Sequence, residues 1–223
     1  MIRIEKLMRL FLFFAVRIVP AFIITFLGFS LIRVNFFSHR KKNSTGFREF
    51  LLSLFAAYLV FLAIMLFMPN SYIAGSGINL TNENFDFVGN FKDRLSSGAW
   101  GVNLVPFRTM KNYIKYSGFT HTLTNILGNI IIFIPFGILV PEIFPKFRRL
   151  LKIISLSIAT SFFVEFIQFF IGRSVDIDDL ILNVLGSFIG YLIWDKILRY
   201  KFAKKKRRKR RPRPSKIDKD QAI

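Results

Sequence analysis

Five stretches of the chain are apolar almost from end to end: residues 10–36, 49–68, 123–144, 149–171 and 177–198. Each approaches the ~20 apolar residues that a helix needs to cross the hydrocarbon core of a bilayer. The pattern predicts an all-α, polytopic membrane bundle of about five transmembrane helices. The first stretch contains Arg17 and Pro20, and its early part is expected to lie along the membrane interface before the chain crosses. The second, FLLSLFAAYLVFLAIMLFM, is uninterrupted and stops at Pro69-Asn70. Pro135 breaks into the third and Pro141 lies near its end. A proline inside a span frees a carbonyl upstream, which neighbouring helices must then satisfy. The fifth carries Gly186-Ser187-Phe188-Ile189-Gly190, a small-xxx-small pattern that lets another helix approach closely.

Charge orients these spans. Basic residues cluster at His39-Arg40-Lys41-Lys42, at Lys146-Phe147-Arg148-Arg149, and in the end of the chain, YKFAKKKRRKRRPRPSKIDK. Five spans with a cytoplasmic C-terminus place all three clusters on the inside, as the positive-inside rule asks. The N-terminus is then outside, with the long 69–122 loop and the short 172–176 turn. Arg3, Lys6 and Arg9 pull the other way, and a re-entrant first segment would bring the N-terminus inside without changing the other spans. The organisation expected is an N-terminal membrane segment and basic loop over 1–48, a membrane domain over 49–198, and a basic, disordered cytoplasmic tail over 199–223. The net charge of +20 rests largely on that tail. Because the tail follows a span directly, an anionic lipid surface is favoured over nucleic acid as its partner. The absence of cysteine excludes disulfides and thiol chemistry.

Polar residues inside the spans carry the candidate chemistry. Asn125 and Asn129 share one helix face about 6 Å apart. Glu165 and Gln168 share another, with Ser161 one turn below Glu165. Asp176, Asp179 and Asn183 follow one another at three and four residues. In the five-span topology all of them fall near the outer ends of spans three, four and five, so they predict a polar cup opening outward. Arg173 in the four-to-five turn and Arg108 before the third span are the candidate counter-charges and anion ligands. The ligand-binding set is therefore Arg108, Asn125, Asn129, Glu165, Gln168, Arg173, Asp176, Asp179 and Asn183.

Each of these also has a plainer reading. Asp176 reads equally as a helix N-cap and Asp178 as a solvated first-turn acid. The amides Asn125, Asn129, Gln168 and Asn183 read equally as glue between helices. His121, between two threonines in a loop, reads as facing water. Glu165 is the exception, because it lies within an apolar span with no helix end to cap. Glu165 and Asp179 are accordingly the candidate acid or base should a reaction occur. There is no histidine- or cysteine-based metal spacing, no phosphate loop and no nucleophile elbow, and no motif indicates a cofactor. An oxygen-only metal site from Glu165, Asp176 and Asp179 is conceivable, but nothing in the spacing singles it out.

Four motifs together carry a resemblance: Asn103-x-x-Pro106-Phe107; Asn125-x-x-Gly128-Asn129 with Pro135 and Gly137; Glu165-x-x-Gln168; and Arg173-x-x-Asp176-x-Asp178-Asp179-x-x-x-Asn183-x-x-Gly186. Over roughly residues 49–198 the chain resembles the VanZ-like family of bacterial membrane proteins. The last motif is the specific one. The resemblance implies a multi-pass protein of the cytoplasmic membrane, and the founding member is linked to low-level resistance to teicoplanin, a lipoglycopeptide acting at the cell wall. It implies a cell-envelope role and leaves the reaction open. Three readings of function follow. The outward cup binds the head group of a lipid-linked wall precursor or of a phospholipid. Alternatively, Glu165 or Asp179 serves a membrane enzyme as acid or base on a lipid-linked substrate. In a proton-coupled carrier, the third reading, Glu165 titrates; the lack of polar residues through the inner halves of spans three to five, and of an inverted repeat, speaks against it.

Overall fold

The computed structural model describes residues 2–36, 44–67, 101–117, 119–170 and 175–200, together with Lys92 and Ser96. The His39–Lys42 cluster, Arg173 and the basic tail from 201 onward lie outside the described residues, as do the side chains of Arg3, Lys6, Arg9 and His121. Six helices are used below: α1 (Ile2–Asn35), α2 (Gly46–Phe67), the short α3 (Arg108–Asn112), α4 (Phe119–Ile143), α5 (Leu150–Phe170) and α6 (Ile177–Ile193). Five of them are long and apolar enough to cross a membrane, over Ala15–Asn35, Gly46–Phe67, Asn125–Ile143, Leu150–Phe170 and Ile177–Ile197. The fold is an all-α bundle.

The first helix, α1, has its membrane-length apolar stretch over Ala15–Asn35. It runs without a break from Ile2 through Pro20 to Asn35. It lies against α2 in a small set of specific contacts. Arg33 forks onto Glu49, with Nε and Nη2 at 2.8 and 2.7 Å from the two carboxylate oxygens. Ser30 Oγ meets Ser53 Oγ at 2.8 Å, and the Phe26 and Phe50 rings pack edge to face at 5.6 Å.

The core lies among α2, α4, α5 and α6. Phe133, Phe136, Val140 and Ile143 of α4 pack with Tyr58 and Leu62 of α2, Ile153 and Val164 of α5, and Tyr191 and Trp194 at the end of α6. α4 stays helical through both prolines. Three residues before Pro135, the Ile132 carbonyl accepts the Tyr58 hydroxyl of α2 at 2.8 Å, a bond that ties α2 to α4 in the turn that the proline weakens. Arg148 Nε donates to the Pro141 carbonyl at 3.1 Å and so closes the helix end.

The tightest interface is α4 on α6. A methyl group added at Gly137 would collide with the Ser187 carbonyl oxygen, at Gly186 with the Ile130 carbonyl, and at Gly190 with the Ile134 carbonyl. Two backbones therefore touch along three turns, and glycine is required at each point because no side chain fits. Gly186 and Gly190 are the ends of the small-xxx-small pattern, and its partner surface on α4 is supplied around Gly137.

Glycine substitutions at the two kinds of site should act oppositely. Gly186→Ala must push α4 and α6 apart, and we expect it to cost about 1–3 kcal/mol or more. Gly128→Ala, at an α4 position with open space around the missing Cβ, should be neutral or stabilising by up to about 1 kcal/mol. Thermal unfolding of the two detergent-solubilised variants checks the contrast.

Candidate functional site

The site begins with two backbone strands too short to hold on their own. Val102–Asn103 pairs in parallel with Val175–Asp176, in the register Val102 with Val175 and Asn103 with Asp176. The Val175 N–H also donates to the Gly101 carbonyl at 3.0 Å. Side chains then fasten the pair. Asn103 Nδ2 donates to Asp176 Oδ1 at 3.0 Å and to Thr109 Oγ1 at 2.9 Å, while Asn103 Oδ1 accepts from the Val105 N–H at 3.2 Å. Asp176 Oδ1 also accepts the Asp178 N–H at 2.9 Å, and so caps α6.

Asp178 is the central group. Only 1% of it is exposed. One carboxylate oxygen accepts the Phe107 N–H; the other accepts the Thr109 and Met110 N–H groups at 2.9 and 3.1 Å. These are donors at the start of α3, which has no earlier turn to satisfy them, so an aspartate from α6 supplies the cap. The same bonds hold Phe107 at φ 65°, a left-handed conformation that a bulky residue adopts only when its surroundings impose it. The expectation that Asp178 is a solvated first-turn acid is thus corrected: it is buried and anchors the segment 101–112.

The remaining candidates form a network around this lock. Glu165, 4% exposed, accepts the Asp176 N–H on Oε2 at 3.0 Å. Asn129 Nδ2 donates to Asp179 Oδ1 at 2.6 Å, joining α4 to α6. Asn183 Nδ2 donates to Ser161 Oγ at 3.0 Å, joining α5 to α6. Gln168 faces elsewhere; its Nε2 donates to the Leu66 carbonyl at 2.9 Å and so caps the end of α2. Asn125 is half-buried on α4, one turn before Asn129. Arg108 is exposed at the start of α3 and makes no ion pair among the described residues.

α6 therefore links Asn129, Glu165, Asp176, Asp178, Asp179 and Asn183 at one end of the bundle. Segment 101–112 is bonded onto that end. Among the described residues no group of three or more histidine, aspartate or glutamate side chains is placed to hold a metal ion. The opposite end is basic and aromatic. Trp194, buried, donates from Nε1 to Glu142 Oε2 at 2.8 Å, with the Arg148 and Arg199 guanidinium groups each 5.8 Å from its ring. Lys146, Arg149, Lys152 and Lys196 are exposed around it.

Two features escaped the sequence reading. One is the role of Asp178, for which a signal existed: a loop Asn-x-x-Pro-Phe whose following amides need an acceptor. The other is a pair of buried serines, Ser157 and Ser187, which hydropathy windows pass over.

Removing the Asp178 carboxylate should orphan three backbone donors at once. Asp178→Ala should cost roughly 3 kcal/mol or more. Asp195→Ala removes only an exposed i,i+4 pair with Arg199 at 2.8 Å, and should cost under about 1 kcal/mol. Thermal unfolding measures both, and limited proteolysis near residue 105 should accelerate only in the Asp178 variant.

No curated protein and no solved structure matches the chain. The model of the VanZ/LLP1 family matches residues 55–199, a span that holds α2 from Phe55 onward, α3 to α6, both short strands and the bonds of the network around Asp178. This chain is a multi-pass membrane protein and belongs to the VanZ/LLP1 family.

Proposed function

We propose that this protein is a cell-envelope factor whose acid-knotted end faces outward and binds the head group of a lipid-linked wall precursor or of a phospholipid. In this reading Arg108 and Arg173 hold the phosphate or carboxylate of the ligand. The observation that carries it is the lock itself. Asp178 and Asp176 use their carboxylates to fix the 101–112 segment, and that fixed segment presents Arg108, exposed, at the end of α6. An arginine on a rigid mount binds an anion with less loss of freedom than one on a free loop.

The same bonds weigh against an acid–base enzyme. A general acid or base needs a group free to meet substrate. Asp178 spends both oxygens on backbone donors, Glu165 holds the Asp176 amide, and Asp179 holds Asn129. Their geometry suits holding the loop better than turning over a ligand. The outward orientation is supported by the division of charge. The buried acids Glu165, Asp176 and Asp178 sit at one end of the bundle, while Lys146, Arg148, Arg149, Lys152, Lys196 and Arg199 outnumber Glu142 and Asp195 at the other, which the positive-inside rule assigns to the cytoplasm together with the C-terminus. In the cell this binding would alter susceptibility to glycopeptides such as teicoplanin, which act on the same outer surface.

Orientation is checked with thiols, since the chain has no cysteine of its own. In intact cells, Lys111→Cys should react with an impermeant maleimide and Lys152→Cys should not; the reverse pattern inverts the topology.

Binding is checked in nanodiscs with a lipid-linked disaccharide–peptide precursor and with an anionic phospholipid. Arg108→Ala should weaken the cognate ligand about 10- to 100-fold and flatten its salt dependence, as the loss of one charge-assisted hydrogen bond predicts. Glu165→Gln should leave graded binding intact. If Glu165→Gln abolishes a turnover while abundance is normal, the enzyme reading replaces this one. A teicoplanin susceptibility assay on cells with and without the chain reads the same effect at the envelope.

A further inference from the structure

We infer that the seam between α5 and α6 is an internal water site that hydrates the acid knot from below. Three hydrogen bonds set the register of this helix pair. The Asp176 N–H donates to Glu165 Oε2 at 3.0 Å, Asn183 Nδ2 to Ser161 Oγ at 3.0 Å, and the Tyr191 hydroxyl to the Arg148 carbonyl at 3.0 Å. Residue numbers fall along α5 as they rise along α6, so the helices run antiparallel. One helical turn, about 5–6 Å, below the Ser161–Asn183 bond, this register brings Ser157 and Ser187 to the same level.

Ser157, Ser161, Asn183 and Ser187 are all buried to 2% exposure or less. Three of their polar atoms have no hydrogen-bond partner: Ser157 Oγ, Ser187 Oγ and Asn183 Oδ1. Buried polar atoms without partners are rare, and three of them on two adjacent levels of one seam share one physical remedy. A water molecule needs two to four polar partners. Here it finds an amide oxygen that accepts and two hydroxyls that donate and accept. The lining at these levels carries no charge, so it fits a neutral guest.

The site has a roof and a floor. Glu165 stands one turn above Ser161 on the same face of α5, and its Oε2 holds the α6 cap. Ile153, fully buried one turn below Ser157, closes the other end. The column is therefore blind: it stores water beneath the carboxylates and gives no route across the bundle. Its polar residues extend into the half of the bundle that the sequence reading took to be wholly apolar. Water there stabilises charge on Glu165 and Asp179 by replacing part of the lost bulk solvation.

The experiment compares Ser157→Ala and Ser187→Ala, singly and together, in the full detergent-solubilised chain. A dry orphan hydroxyl is a burden, so its removal would raise the unfolding temperature. A hydroxyl bonded to bound water is an asset, and each removal should lower the unfolding temperature by about 2–4 °C. The double variant should lose less than the sum, because both hydroxyls serve the same waters. Unchanged or raised temperatures in both single variants overturn the proposal. X-ray radiolysis in ¹⁸O-labelled water gives a second readout. Buried Ile153 and Val164, each one turn along α5 from Ser157 or Ser161, should take up label, and Ser187→Val should suppress it by filling the space. Absence of label at both residues in the unsubstituted chain overturns the proposal equally. Neither measurement involves a head group, so the ligand reading can fail while this one stands.

Discussion

Burying a carboxylate at the head of a membrane bundle costs several kcal/mol unless its oxygens are fully engaged, and unmet backbone donors at a helix start carry a similar penalty. Asp178 cancels both at once. Its two oxygens meet the three amides that open α3, and each side is stable only because the other is there. The rest of this end of the bundle hangs on this exchange. The two-residue strands are too short to pair unaided, Asn103 is aligned with Asp176 only while they pair, and the Asp176 cap that starts α6 also delivers its amide to Glu165. A segment that looks like a free extracellular loop is thereby a fixed part of the bundle.

α6 then serves two different interfaces with two faces. The face toward α4 is made of glycines and admits backbone against backbone. No polar side chain and no water fits between the touching turns. The face toward α5 is polar: Asn183 bonds Ser161, the Asp176 amide at its head bonds Glu165, and the Tyr191 hydroxyl at its foot bonds the Arg148 carbonyl just before α5. Small residues make both faces possible: glycine where atoms must be absent, serine where a hydroxyl must fit without bulk.

Much of this was legible in the chain. Windows of about 20 apolar residues locate the five long helices, and the small-xxx-small run in α6 announces a close crossing. The joining of Asn129, Glu165, Asp176, Asp179 and Asn183 at one end follows from helical periodicity once the spans alternate in direction. What was not legible has physical causes. Pro135 and Pro141 leave α4 unbroken, and the bonds beside them, from Tyr58 to the Ile132 carbonyl and from Arg148 to the Pro141 carbonyl, come from elsewhere in the chain, where no local pattern reveals them. Asp178 faces away from Asp176 and Asp179 on the α6 wheel, so periodicity alone assigns it to solvent. Only the long-range return of residues 101–112, some 70 positions upstream, buries it. Ser157 and Ser187 are nearly neutral in hydropathy, so a span containing them reads as apolar even though their hydroxyls are wholly buried.

The arrangement also says which part of the bundle can adjust. α4 and α6 are in backbone contact over three turns, and separating them exposes or strains both. The 101–112 segment is tied to α6 by the Asp178 bonds, so α4, α6 and that segment form one unit. α5 packs on this unit through side chains, with Ile153 and Val164 in the core and polar bonds at Glu165 and Ser161. A hydrogen bond can lengthen or be bridged by water at small cost, whereas interlocked backbones move together or not at all. The polar bonds along α5 can therefore adjust more readily than the α4–α6 contact. α1 is further still from this unit, since its bonds run to α2 and it precedes the family match at residue 55. The unit of α4, α6 and the 101–112 segment lies wholly within the family match.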